Sequence, residues 1–341
     1  MTQPATQSGL QPAREPKSPT GNRHPATLCA VPITMSSWPA LEFARWAPTK
    51  RTLHLIAQML GKIRLSLAPH QPNFLFAALY VTPTGLTTSP IPVGLRLIEI
   101  RLDVFEEQIA LLSSDGRRRQ ISFAQLPSIA GIYNALLAEL RLLGVDVTIS
   151  PVPQEIPDLT PLDRDERPPA WSVQDAHAWL TVMTSTQAVF DRWRAHFFGR
   201  ASIQLWWGAF DLALLLFSGR HVPAPLDRGY LFKYDLDAEM MNAGFYPGDA
   251  ANEPFYYGYI YPEPVGCSEI PTRPEGARWS EQFREWILPY DVVHNAPQPE
   301  ESLQSFLSGI YDTCSSAANW DRGAYTYVPP PLRHARLPVS T

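Results

Sequence analysis

Residues 95–104 read LRLIEIRLDV. Ile98, Ile100, Leu102 and Val104 alternate with Glu99, Arg101 and Asp103. A period of two marks a strand with one dry face and one wet face, the pattern of an antiparallel sheet covered on one side only. The neighbouring segments extend the same sheet. KIRLSLA (62–68) and NFLFAALYVT (73–82) precede it as expected strands, and QIALLSS (108–114) and RRQISF (118–123) follow, joined through the turn SSDGRR (113–118). Between the second and third of these lies GLTTSPIP (85–92), a polar, proline-punctuated connection longer than a hairpin turn requires.

Helices bracket this sheet. In APTKRTLHLIAQMLGK (47–62), Leu53, Ile56, Ala57 and Leu60 share one helical face and Gly61 is the expected stop. A second helix carries Ile129, Ile132, Tyr133, Leu136, Leu137 and Leu140 and closes at Gly144, before the short expected strand VDVTI (145–149). The order then begins again. Ser172 with Asp175 offers a capping start for a helix running to Gly199, followed by the strands SIQLWWGAF (202–210) and LALLLFS (212–218) and the turn SGRHVPAP (218–225). An irregular stretch leads to FYYGYIY (255–261) and EWILPYDVV (285–293), and then to a helix with Leu303, Phe306, Leu307, Ile310, Tyr311 and Cys314. The string GIY occurs in both closing helices, at 131–133 and 309–311.

The expected fold is therefore α+β: two diverged helix–antiparallel sheet–helix halves in one globular domain, packed around a central groove. The divisions are a Pro/Ser/Thr-rich disordered leader (1–36), a first half (37–150), a proline-rich linker (151–171), a second half (172–325) and a flexible tail (326–341). Met35 is an alternative start. Of the 35 prolines, six fall in SPVPQEIPDLTPLDRDERPPA (150–170).

Composition narrows the function classes. A chain of 341 residues with 45% hydrophobic content can bury a large core. The net charge of −5 supplies no basic field for nucleic acid or an anionic membrane, so a small-molecule ligand or a protein partner is expected. Cys29, Cys267 and Cys314 are far apart with no CxxC pair, which fits a reducing cytoplasm and neither a disulfide framework nor a structural zinc site. No apolar run reaches the length of a membrane span. GxSxG, HExxH, GxGxxG and GxxxxGK[ST] motifs do not occur, and DLDAE (235–239) lacks the glycine and further ligands of a calcium loop. No metal ligands and no cofactor are assigned.

Two polar loops, GLTTSPIP and FSGRHVPAP (217–225), occupy equivalent places in the two halves and are expected to face each other across the groove. Thr87, Thr88 and Ser89 would donate hydrogen bonds there, and Arg220 would clamp an anion with two parallel bonds. Lys62 and Arg64, on one face of an expected strand, would add positive charge. Gln204, Trp206, Tyr257 and Tyr259 complete the ligand-binding set, the aromatic rings offering faces for stacking. Asp211 is a carboxylate inside an apolar run, where such a group is normally paired or functional. His54 and His221 are the candidates for proton transfer, with Asp211.

Several strings together resemble a bacterial family catalogued as domain of unknown function 5996: TLHLIAQMLGKIRLSLAP (52–69), ALYVTPTGLTTSPIP (78–92), WWGAFDLALLLFSGR (206–220), GFYPG (244–248), YGYIYPEP (257–264), ILPYD (287–291) and NWDR (319–322). The likeness covers roughly residues 37–322. It implies a soluble single-module protein and carries no established reaction, cofactor or substrate. Family members have histidine where Gln204 stands, Ser-His-Glu where Asp237, Ala238 and Glu239 stand, and a histidine near Pro168–Pro169. The resemblance thus implies a specialised or non-catalytic member that retains His54 and Glu239. The leading expectation is a cytoplasmic protein, an accessory or biosynthetic enzyme in one version, that binds a small anionic molecule in the groove. The alternative is a non-catalytic binding or scaffold protein with a decayed site and an aromatic surface for another protein.

Overall fold

A computed structural model describes residues 37–225 and 235–328. The expected leader, with Cys29 and Met35, and all but residues 326–328 of the expected tail lie outside the described residues. The architecture is α+β, built on two antiparallel sheets.

Helix α1 (Phe43–Leu67) is the first helix of the described residues and passes straight through Gly61, so KIRLSLA is its last turns and no strand. Gly61 is there for a different reason. A Cβ at this position would sit 2.1 Å from Cδ1 of Trp207. The glycine lets an indole ring press against the helix backbone, and Lys62 and Arg64 consequently belong to a buried helix. NFLFAALYVT is also corrected: residues Pro72–Ala77 form a 3-10 turn in which Asn73 and Phe74 have φ of 60° and 53°, and only its end is strand.

The first sheet contains β1 (Tyr80–Thr82), β2 (Gly85–Thr87), β3 (Ile91–Val93), β4 (Arg96–Asp103), β5 (Gln108–Ser113) and β6 (Arg118–Ser122), ordered β1-β2-β4-β5-β6 with β3 also on β4. Strand β4 is the alternating stretch, and Ile98, Ile100 and Leu102 are fully buried. The connection GLTTSPIP is itself mostly strand, β2 and the start of β3. Helix α2 (Ile129–Leu142) packs on this sheet, capped by Ser128, whose hydroxyl accepts from the Gly131 amide at 3.1 Å. Gly144 leaves it at φ 72°. VDVTI runs on without a strand partner, though Val145, Val147 and Ile149 are buried.

Helix α3 (Val173–Arg194) starts at its expected cap, with Ser172 accepting from the Asp175 amide, and ends five residues before Gly199. The second sheet has β7 (Ala201–Trp206), β8 (Asp211–His221), β9 (Ala238–Tyr246), β10 (Phe255–Tyr261), β11 (Arg278–Ser280) and β12 (Glu285–Pro289), ordered β11-β12-β10-β9-β8-β7. β8 continues through the expected turn SGRH, and β9 fills what reads as an irregular stretch. EWILPYDVV is strand only to Pro289, where helix α4 (Tyr290–His294) begins; α5 (Pro299–Ala317) and α6 (Arg322–Tyr325) follow. One backbone bridge joins the sheets: Leu79 and Leu205 exchange both hydrogen bonds, at 3.0 and 2.7 Å. Among the described residues no helix is long and apolar enough to cross a membrane.

Strand β8 is buried on both faces. Leu212, Leu214 and Leu216 enter the main core with α1, α3 and α5, while Leu215 and Phe217 pack in a separate cluster on the opposite side. That opposite side carries the candidate site.

Helix propensity alone favours Gly61→Ala by about 1 kcal/mol. The Trp207 contact reverses the sign, and the variant is expected to lose about 1–3 kcal/mol in urea unfolding. A stabilised Gly61→Ala would remove the close approach as the reason for this glycine.

Candidate functional site: an acidic, aromatic cavity on the second sheet

Strand alternation sends Asp211 of β8, Asn242 and Tyr246 of β9, Tyr257 and Tyr259 of β10 and the start of β12 at Glu285 to the face away from α1 and α3. Together they floor a cavity of about 820 Å3. Gly244 lies directly between Tyr257 and Ala213 in the register. A Cβ on it would meet the Tyr257 hydroxyl at 2.3 Å and the Leu212 carbonyl at 2.6 Å. Without that side chain the tyrosine lies across β9, and its hydroxyl donates to Oδ2 of Asp211.

The roof comes from the first half and the proline-rich segment. Phe74 and Phe76 stack at 5.4 Å, and His70 stacks on Phe76 at 4.4 Å. Asn73 holds this turn to the second half, donating to Asp237 at 2.8 Å and accepting from Arg200 at 3.0 Å. Its φ of 60° is one that asparagine tolerates better than most residues. Trp207 donates from its indole to the Ala77 carbonyl at 2.9 Å. Glu155 folds its carboxylate against Gly208, where a Cβ would meet it at 2.2 Å.

Helix α1 fixes these parts from below. His54 lies 3.0 Å from the Trp207 carbonyl and 2.9 Å from the Gly208 carbonyl through Nε2, so that nitrogen carries the proton and donates. The ring stacks on Phe210, and Phe210 stacks on Trp179. Burial, together with the charge of Lys50, pushes its pKa down to about 3. His54 is thus a neutral clamp on the 207–210 turn. Gln58 grips the roof loop at both backbone groups of one residue, donating to the Gln154 carbonyl at 2.6 Å and accepting from the Gln154 amide at 2.9 Å.

Among the described residues the lining contains five carboxylic side chains, Glu155, Asp211, Asp235, Asp249 and Glu285, and no lysine or arginine. Asp249 is satisfied by the Tyr246 hydroxyl at 2.7 Å and by two turn amides, and these bonds hold its pKa below the usual range against the opposing effect of burial. At Asp211, Asp235 and Glu285 burial prevails instead. Burial raises Asp211 to about 7, with the Tyr257 hydroxyl opposing it and Glu155 adding to it. Asp235 rises to about 7 through burial and the neighbouring Asp237, Glu155 and Asp211. Glu285 rises to about 8 through burial and Asp211. Three carboxyls thus titrate near neutrality, within reach of aromatic walls, and can take or release a proton at little cost. Lys50 lies 5.9 Å over the Tyr246 ring, lowered to about 8 by burial with Asp249 opposing.

Of the residues expected from sequence, Asp211, Trp206, Tyr257 and Tyr259 line the cavity. The basic ones do not. Lys62 donates to the Val152 carbonyl at 2.8 Å, and Arg64 donates to the Thr88 carbonyl. Arg220 is bound to Glu239 at 2.6 Å and to the Ala318 carbonyl at 2.7 Å, fastening the end of β8 to the chain after α5. Thr87 bonds Glu99 at 2.7 Å, and Thr88 bridges β2 to Ile100. Ser89, at φ 56°, donates its amide to Thr87. His221 is exposed at the end of β8, paired with Ala238. Gln204 is buried, with neither amide atom partnered, and is not part of the lining. Asn242, Tyr246 and Glu285 escape a sequence reading, although Asn242 and Gly244 in the apolar run AEMMNAGFY (238–246) carry the same signal as Asp211. Among the described residues no group of three or more histidine, cysteine or acidic side chains is placed to hold a metal ion.

Because the folded state binds the Asp211 proton more tightly than the unfolded chain, this residue's contribution to stability is full below its ordinary pKa of 3.8 and is lost as pH rises through about 7. Asp211→Asn keeps an acceptor for Tyr257 and removes the titration. Thermal melts are expected to show the variant more stable than the wild type at about pH 8 and with a weaker fall between about pH 4 and 8. Parallel curves for the two proteins would mean that Asp211 ionises normally.

Comparison with curated proteins and with solved structures gives no match. The model of one family does match, over residues 38–327, nearly all of the described chain. The matched span holds the aromatic strings and the Asp211 strand that build the cavity. On that match the chain belongs to the family described as Family of unknown function (DUF5996).

Proposed function

We propose that the cavity binds a small organic cation. The observation that carries this reading is a lining that, among the described residues, has five carboxylic side chains and no lysine or arginine, set among aromatic rings. Buried carboxyls with no counter-ion are held partly protonated at a cost in free energy. A bound ammonium would restore their charge. The ring faces of Tyr246, Tyr257, Tyr259 and Trp206 would add cation–π attraction of about 0.5–2 kcal/mol each where desolvated.

An anionic ligand, expected from Lys62, Arg64 and Arg220, would meet none of these side chains in the cavity, since backbone carbonyls and Glu239 occupy them. The aromatic residues of β10 line a cavity of about 820 Å3, of ligand size, which supports small-molecule binding over a protein-docking patch.

Isothermal titration of the full chain with alkylammonium salts tests the reading. Binding near neutral pH is expected to release protons, seen as a heat that varies with the ionisation enthalpy of the buffer, because the cation pulls Asp211, Asp235 and Glu285 below their raised values. Asp211→Asn with Glu285→Gln is expected to weaken binding at least about tenfold, the loss of about 1.4 kcal/mol or more. Anions binding where ammonium ions do not, or cations binding equally well to the double variant, would overturn it.

A further inference from the structure

Asn242 sits in the middle of β9, 6% exposed, and faces the cavity. Its Nδ2 donates to the Tyr259 hydroxyl at 3.0 Å, which fixes the amide plane. Its Oδ1 is shielded from solvent and has no partner. Oδ1 of Asp235, which lines the same cavity, is also shielded and unpartnered. The carboxyl of Asp235 acts on Tyr259 as well, helping burial to hold its hydroxyl protonated. The two orphan atoms therefore belong to residues that line one cavity with Tyr259. Among the described residues, they are the only solvent-shielded side-chain atoms of the lining left without a partner, and both are acceptors.

An acceptor buried without a donor has lost its hydrogen bonds to water and gained none in return, so the pair is a standing demand for N–H or O–H groups. A quaternary ammonium ion cannot meet it. It would satisfy the carboxylate charge and the aromatic faces while leaving both oxygens bare. A primary ammonium offers three donors and a guanidinium five, and either can serve an amide oxygen and a carboxylate together.

We propose that the ligand is an N–H-bearing cation, a primary ammonium or guanidinium group that donates hydrogen bonds to Oδ1 of Asn242 and Oδ1 of Asp235, and that the site rejects quaternary ammonium ions of similar size. This rests on the cation-binding reading and adds the donor requirement. The general basis is that a site with committed polar groups discriminates strongly against an analogue that leaves them unpaired.

The test is isothermal titration of the full chain with n-butylamine, n-butylguanidine and butyltrimethylammonium. At least one of the first two is expected to bind at least about tenfold more tightly than the third, the size of one charged hydrogen bond. The pair also tells an ammonium site from a guanidinium site. In Asn242→Leu the preferred ion is expected to lose about tenfold, while butyltrimethylammonium stays within about twofold. Asn242→Asp keeps the oxygen and is expected to keep the preference, so it and the wild-type ratio decide the matter even if the leucine variant does not fold. Equal binding of all three ions, a preference that survives in a folded Asn242→Leu, or a preference lost in Asn242→Asp would overturn the donor requirement and leave the cation site standing. Absence of binding by all three would overturn the cation site itself.

Discussion

A buried carboxylate with no cation beside it among the described residues shapes the second sheet. Asp211 opens β8, the strand with leucines against the helices on one side, and so faces the other side. Its hydrogen-bond partner there is the Tyr257 hydroxyl, which arrives only because Gly244 leaves the strand between them bare. A face floored by that pair cannot close as an ordinary apolar core, since dry packing over an ionised group is costly. It remains a cavity, roofed by rings and further acids.

The roof depends on α1. His54 and Gln58, one turn apart, hold two separate pieces of the cavity wall by their backbones: the 207–208 carbonyls and the Gln154 peptide. Gly61, one turn further, admits Trp207, which in turn holds Ala77 of the roof. Polar residues inside an apolar helix thus act at a distance from their own surroundings. They set where the β7–β8 turn and the proline-rich segment lie, and through them the spacing of Glu155, Asp211 and Trp207. Prolines in that segment reduce the conformational freedom the roof would otherwise lose on ordering.

The legible part of this fold is local. The alternation in β4 and the apolar faces of α2 and α5 follow from periods of two and 3.6 residues, and each is found where the pattern puts it. Gly61 misleads because a glycine needed for close approach is indistinguishable in sequence from one that ends a helix. The run 73–78 misleads because its apolar residues serve a 3-10 turn at positive φ. For Lys62, Arg64 and Arg220 the partners are carbonyls and a glutamate brought in by tertiary structure, so their charge is spent before any ligand arrives. Asp211 is readable because an acid inside an apolar run breaks a pattern. Glu155, Asp235 and Glu285 break none: Glu155 sits in a loop, Asp235 three residues before β9 and Glu285 at the start of β12, where acids are commonplace.

Among the described residues these carboxyls have no counter-ion in the free protein, and the proposed reading is that a bound cation supplies one. Carbon-detected NMR titration of the aspartate and glutamate side chains reads it directly, with Asp211→Asn and Glu285→Gln assigning the two signals. The account predicts midpoints near 7 for Asp211 and near 8 for Glu285 in the free protein, both falling when a bound alkylammonium ion is present. Midpoints near 4, the ordinary carboxylate range, would contradict it.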